Sequence, residues 1–205
     1  MNQHAATVFI VDDDSGVRSA IRLLLRTVGI HSVPLASAQE FLDSPYPDHP
    51  GCLLLDIRMP GMSGLELQQQ LNVRGAPMPL IFISGNADIP MAVEAMQRGA
   101  FDFLQKPFRD QELIDRVQRA LRKDEDMRKS LQQKGRSRRR LESLTPRERE
   151  VLELLVQGKQ NKVMAAALDL SQRTIEIHRA HLMEKVGVQS VAELVRVVLD
   201  AREAP

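Results

Sequence analysis

Apolar residues follow two rhythms along this chain, and the change comes near residue 123. Before it, short runs that are apolar throughout alternate with amphipathic stretches. TVFIV (7–11), CLLLD (52–56), PLIFIS (79–84) and DFLQ (102–105) predict strands, and HSVPLA (31–36) a weaker one. SGVRSAIRLLLRTVG (15–29) places Val17, Ile21, Leu24, Leu25 and Val28 at a helical period that Gly29 closes. AQEFLD behind a capping Ser37, GLELQQQL, IPMAVEAMQRG behind a capping Asp88, and DQELIDRVQRALRK read as further helices. Strands without a polar side belong in a sheet covered on both faces, and strict strand–helix alternation makes that sheet parallel. Five such units in about 120 residues predict an α/β, flavodoxin-like, doubly wound domain with a five-stranded parallel sheet.

Beyond this point KDEDMRKSLQQKGRSRRR (123–140) has almost no apolar positions, which fits either a helical extension or a tether. Then the strands stop. SLTPREREVLELLVQG offers Thr145 as N-cap, Pro146 at the first helical position, Glu148 three residues past the cap and Gly158 at the end. NKVMAAALD makes a short helix. Ser171 caps QRTIEIHRAHLMEKVG, and Ser190 caps VAELVRVVLDARE. The expected organisation is therefore 1–123, a linker over 124–140, and an all-α four-helix domain over 141–205.

Charge separates the halves further. Residues 1–125 carry twelve Lys and Arg against sixteen Asp and Glu, whereas residues 126–205 carry sixteen against eleven. An acidic front and a basic back imply two modules with different partners. With 43% apolar and 27% charged residues the chain can build real cores and stay soluble. No apolar run approaches the ~20 residues of a membrane helix, and MNQHAATVFIVDDD lacks the basic start of a secretory signal. Cys52 is the single cysteine, so no internal disulfide is expected and a cytoplasmic setting fits.

The chemistry gathers at the carboxyl ends of the strands, where doubly wound sheets hold their ligands. Asp12, Asp13 and Asp14 follow the first strand, Asp56 ends the third, Ser84 ends the fourth, and Lys106-Pro107 follows the fifth. Carboxylates brought this close repel each other and require cations. A hard divalent ion with oxygen ligands and one lysine ammonium would satisfy them.

VDDD, LLLDIRMPGMSG, FISGNADIP and FLQKPF, in this order and spacing, resemble the CheY-like receiver domain of two-component response regulators over residues 5–123. The resemblance implies that Asp56 accepts a phosphoryl group from a sensor histidine kinase. It implies that Asp13, Asp56 and the backbone carbonyl of Arg58 hold Mg²⁺, with Asp12 completing the acid pocket and Lys106 pairing with the phosphoryl group. Ser84 becomes the switch hydroxyl and Phe103 the switch aromatic, where family members more often carry Thr and Tyr. The Lys106–Pro107 bond resembles the family's cis peptide.

Residues 141–203 are similar to the LuxR-type helix-turn-helix domain, and the pairing resembles the FixJ/NarL group of transcriptional regulators. On the third helix of this part Ile175, Leu182 and Val186 recur at core spacing. Arg173, Thr174, Ile177, Arg179, His181 and Lys185 are left outward, a mixed basic and apolar face suited to a major groove. Lys162 and the first amides of the preceding helix are placed for phosphates. Glu176 departs from NarL-like relatives, which often have lysine there; a carboxylate repels phosphate or accepts from a cytosine amino group. His178 and His181 are spaced i, i+3, but without a third ligand nearby no metal is expected there. Taken together, the resemblances imply a phosphorylation-activated regulator, not an enzyme, that dimerises, binds double-stranded promoter DNA and contacts RNA polymerase, with no membrane partner. Two other readings are a phosphatase using Asp56 as nucleophile and a purely protein-binding receiver. Against the first, Arg58 stands where haloacid-dehalogenase hydrolases carry their second aspartate.

Overall fold

The computed structural model describes residues 6–45, 49–76, 78–85 and 89–202. The elements in order are β1 (Thr7–Val11), α1 (Ser15–Thr27), β2 (Ser32–Leu35), α2 (Ala38–Leu42), β3 (Gly51–Asp56), α3 (Gly64–Val73), β4 (Leu80–Ser84), α4 (Ile89–Gln97) and β5 (Asp102–Gln105). Then follow α5 (Asp110–Glu142), α6 (Pro146–Val156), α7 (Asn161–Leu168), α8 (Gln172–Val186) and α9 (Val191–Arg202). The chain divides into two compact units, residues 1–128 and 129–205.

In the first unit five parallel strands lie in the order β2-β1-β3-β4-β5. Strands β1, β3 and β4 are buried along their whole length, which is why their sequences are apolar without alternation. One face packs Phe9, Leu53, Leu55 and Phe82 against α2, α3 and α4, with Phe41 of α2 among them. The other packs Ile10, Leu54, Ile81 and Ile83 against Leu25 of α1 and Val117 of α5. The doubly wound expectation holds. Ser37 caps α2 as expected, and Ser63 adds a capping box with Glu66 at α3. Asp88 lies outside the described residues.

Helix α5 takes in the charged segment 124–140. Its Lys, Arg, Gln and Glu residues are good helix formers, and ion pairs one turn apart support it, Arg128 with Asp124 at 2.8 Å and Arg138 with Glu142 at 3.0 Å. Asp124 is buried. It accepts the Gly51 amide at 2.9 Å, while Arg128 also donates to the His49 carbonyl at 2.8 Å. A Cβ on Gly51 would stand 1.8 Å from the Thr7 carbonyl oxygen, so only glycine fits where β3 begins.

The second unit packs α6–α9 around Val151, Met164, Ile175, Leu182, Val186 and Leu194. The Thr145–Glu148 capping box, Pro146 in the first turn, and the caps from Ser171 and Ser190 are all present. Gly187 ends α8 with φ of 70°.

Candidate functional site: an acid crevice and a helix-turn-helix

Parallel register sets the crevice. Val11 pairs with Leu55, Asp56 with Ile83 and Ser84 with Gln105, so the residues at these strand ends share one edge. Lys106 Nζ reaches across it, 2.7 Å from Asp12 and 2.9 Å from Asp56. The remaining carboxylate oxygens are taken by amides, Asp12 accepting from Asp14 at 2.9 Å and Asp56 from Arg58 at 2.7 Å. Arg18 from α1 donates to the Asp12 carbonyl at 2.6 Å and steadies that turn. The Lys106–Pro107 peptide is cis. Thus Asp12, Asp56 and Lys106 meet although 94 positions separate the ends of the set.

The three neighbouring aspartates divide their tasks. Asp12 is buried, Asp14 caps α1 through the amides of Gly16 and Val17, and Asp13 is exposed. The Asp13 carboxylate has no hydrogen bond or ion pair among the described residues. Burial pushes the Asp56 carboxyl above the usual range; Lys106 and the Arg58 amide counter it, and Asp12 adds to it. Burial opposes the charge on Lys106, but its bonds to Asp12 and Asp56 prevail and hold its pKa up.

Two carboxylates against one ammonium already leave anionic surplus at the crevice. Among the described residues no three His, Cys, Asp or Glu side chains form a ready-made metal cage. The donors at the pair are nevertheless all oxygen, and the unengaged Asp13 follows Asp12 directly in the chain. That set suits a hard cation which keeps several of its waters, as Mg²⁺ does.

Ser84 is buried at the end of β4, and its backbone carbonyl accepts the Lys106 amide at 2.8 Å. Phe103 is half-buried and packs with the α2–α4 side of the sheet. Gly64 brings α3 against the crevice floor: a Cβ there would lie 2.3 Å from the Asp56 carbonyl oxygen and 3.0 Å from the Phe82 ring.

In the second unit α8 buries Ile175, Leu182 and Val186 and exposes Arg173, Glu176, Ile177, Ala180, His181 and Glu184. Lys162 is exposed on α7, and Thr174 is held by Ser171.

The receiver-domain family model, "Response regulator receiver domain", matches residues 8–118, and "Bacterial regulatory proteins, luxR family" matches 142–198. The chain belongs to the response-regulator family. Nodulation protein W of Bradyrhizobium diazoefficiens is 44% identical over 192 residues, covering 94% of this chain and 85% of that protein. Transcriptional regulatory protein FixJ of Azorhizobium caulinodans is 43% identical, covering 97% and 94%. A solved structure of the response regulator StyR superposes with a TM-score of 0.87 at 42% identity, covering 95% of this chain and 98% of that one. The response regulator therefore combines a receiver with a LuxR-type DNA-binding domain, the pairing for phosphorylation-dependent control of transcription.

Two side chains of this regulator expected to face DNA are already engaged within the unit. Lys185 Nζ lies 2.8 Å from Glu148, whose carboxylate is buried and also accepts the Thr145 amide at 2.8 Å. Burial alone would raise the Glu148 pKa, yet Lys185 and Thr145 overcome it and hold it at about 2. Arg179 donates to Asn161 at the start of α7. The capping-box spacing identified Glu148 as a cap residue, but nothing local in sequence marks an acid 37 positions from its lysine as a buried ion pair. Arg18 and Gly64 were likewise invisible as site residues, since each acts through backbone that only the fold brings near.

Proposed function

We propose that Asp56 is the phosphoacceptor of this response regulator and that its phosphorylation governs promoter binding. The observation that carries this reading is Lys106 Nζ held between Asp12 and Asp56 at 2.7 and 2.9 Å. An Asp56 carboxylate oxygen attacks the phosphorus of a kinase phosphohistidine. A P–O bond forms, the P–N bond breaks, and the imidazole leaves with the electron pair. The transferred oxygens carry charge that the Lys106 ammonium is placed to offset. Mg²⁺, held by Asp13, Asp56 and the Arg58 carbonyl beside Asp12, would supply charge neutralisation and a template for the phosphoryl oxygens.

The acyl phosphate adds negative charge to the crevice and gives the Ser84 hydroxyl a strong acceptor. Movement of Ser84 opens space into which Phe103 turns, repacking the side of the sheet where α4 lies. Exposed Val93 and Met96 on α4 offer apolar surface for a homodimer, the state in which paired half-sites are read. Lys162, Arg173, Thr174, Glu176, Ile177 and Arg179 form the DNA-facing set, with Arg179 held in position by Asn161. Lys185 stands at its edge, committed first to Glu148. A sensor histidine kinase, double-stranded promoter DNA and RNA polymerase are the partners this reading requires.

Labelling with acetyl phosphate and Mg²⁺ tests the central step. Asp56→Asn should take up no label while the wild-type chain does. Undiminished labelling of that variant removes Asp56 from the role.

A further inference from the structure

Outside the recognition helix, the second unit has a groove between the C-terminal part of α5 and α9, lined among others by Arg136, Ser137, Arg140, Val188 and Arg196. Ser137 and Val197 form its less exposed side. Arg136 and Arg140 are one helical turn apart on α5, so they share a face, and Arg196 comes from α9. All three are exposed, and none of their guanidiniums makes a hydrogen bond or ion pair among the described residues. Two other arginines of this unit are spent on ion pairs, Arg138 with Glu142 and Arg147 with Glu150. The two acids of the groove are occupied as well, Asp200 by the Gln133 amide at 3.0 Å and Glu193 by the Gln189 amide at 2.9 Å. Three unspent guanidiniums outnumber the two carboxylates in this groove and leave a net positive, anion-accepting surface.

Its position identifies the anion. A Cβ on Gly187, the residue that ends α8, would lie 3.8 Å from the Arg140 guanidinium carbon, so the groove adjoins the C-terminal end of the recognition helix. That helix has 15 residues and is about 22 Å long. The major groove is only about 12 Å wide. Where such a helix crosses the groove at an angle, its ends approach the sugar–phosphate walls.

The need for cations there is also plain. The outward stripe of α8 carries Glu176 and Glu184 against Arg173 and His181, and Lys185 is paired with Glu148. On this stripe acids and cations nearly cancel, and the other cations of the DNA-facing set are Lys162 on α7 and Arg179, held by the neutral Asn161. Phosphate neutralisation supplies essentially all of non-specific affinity, so cations flanking that stripe add to binding.

We propose that Arg136, Arg140 and Arg196 form a phosphate-backbone clamp that grips duplex DNA beside the C-terminal end of the recognition helix. This rests on the DNA-binding reading of the second unit. The clamp contributes affinity without sequence preference, and Glu176 and Ile177 are left to discriminate among bases.

The test is the salt dependence of binding by the full-length protein to a random-sequence duplex, followed by fluorescence anisotropy. Each lost phosphate contact lowers the slope of log K against log salt by about 0.9. The triple variant Arg136→Gln/Arg140→Gln/Arg196→Gln should therefore lose about 2–3 from the slope. The triple lysine variant should keep it, and so should Arg138→Gln, whose guanidinium is already paired. Amide exchange of α8 unchanged from wild type establishes that the glutamine variant is folded. A wild-type slope in the folded glutamine variant overturns the clamp while leaving the DNA-binding reading intact. Absence of any salt-dependent binding by the wild-type chain overturns both.

Discussion

Lys185→Ala separates two physical roles that a basic residue on a recognition helix can have. Were Lys185 a phosphate contact, its loss would flatten the salt slope by about 0.9 and leave the fold alone. The structure instead ties its ammonium to a buried carboxylate at 2.8 Å. Breaking a buried ion pair costs about 3–5 kcal/mol when the remaining charge stays dry. Here the Lys185 side chain is 40% exposed, so water can replace part of the ammonium, and Glu148 keeps its Thr145 amide. A loss of about 2 kcal/mol is expected, the range for one hydrogen bond to a charged group. At 1.4 kcal/mol per tenfold, this raises the opening equilibrium of α6 and α8 about 30-fold. Hydrogen exchange of peptides from these helices in the full-length protein reads that change directly. Exchange as slow as in wild type, together with a salt slope reduced by one contact, would refute the reasoning and return Lys185 to the phosphates.

The same pair sets the acid limit of the second unit. The Glu148 carboxyl lies at about 2 in the fold against 4.5 unfolded, so its stabilisation is complete above pH 4.5 and drains away as pH falls towards 2. Glu148→Gln should remove that dependence, and acid unfolding followed by helix circular dichroism checks it. Lys106→Ala should slow acetyl-phosphate labelling by roughly 10²–10³-fold with the fold kept; a wild-type rate would mean that the ammonium does not act on the transferring group. Gly64→Ala drives a methyl into the Asp56 carbonyl and should cost about 1–3 kcal/mol of receiver stability, measured by urea unfolding; an unchanged midpoint contradicts the close approach. Asp124→Ala strands the Gly51 amide and breaks the ion pair with Arg128, and about 3 kcal/mol should be lost, seen as faster exchange at the start of β3.

Much of this architecture is legible in the sequence. Apolar runs without alternation state two-sided burial, as in β1, β3 and β4, where polar residues stand only at the strand ends, Thr7, Asp56 and Ser84. The caps at Ser37, Thr145 and Ser171 could be read because their partners lie within one turn. The crevice was readable for a different reason: in a parallel sheet every strand ends on the same edge, so Asp12, Asp56, Ser84 and Lys106 had to meet once the strands were placed. What stayed hidden depends on long-range packing. Glu148–Lys185, Asp124–Gly51 and Arg179–Asn161 each join elements whose relative angle no local pattern records. The helical continuation through 124–140 was open in sequence because it has no apolar stripe, and charged pairs along the helix support it instead.

Strand β3 has Asp56 at one end and, at the other, an amide held by Asp124 of α5. Cutting the chain after residue 123 would therefore remove the acceptor for the Gly51 amide and the donor for the His49 carbonyl together, and open the base of the very strand that presents the nucleophile. A receiver fragment meant to behave as it does in the whole protein has to retain Arg128. Labelling rates taken from a shorter piece would report a loosened strand as much as the chemistry at its tip.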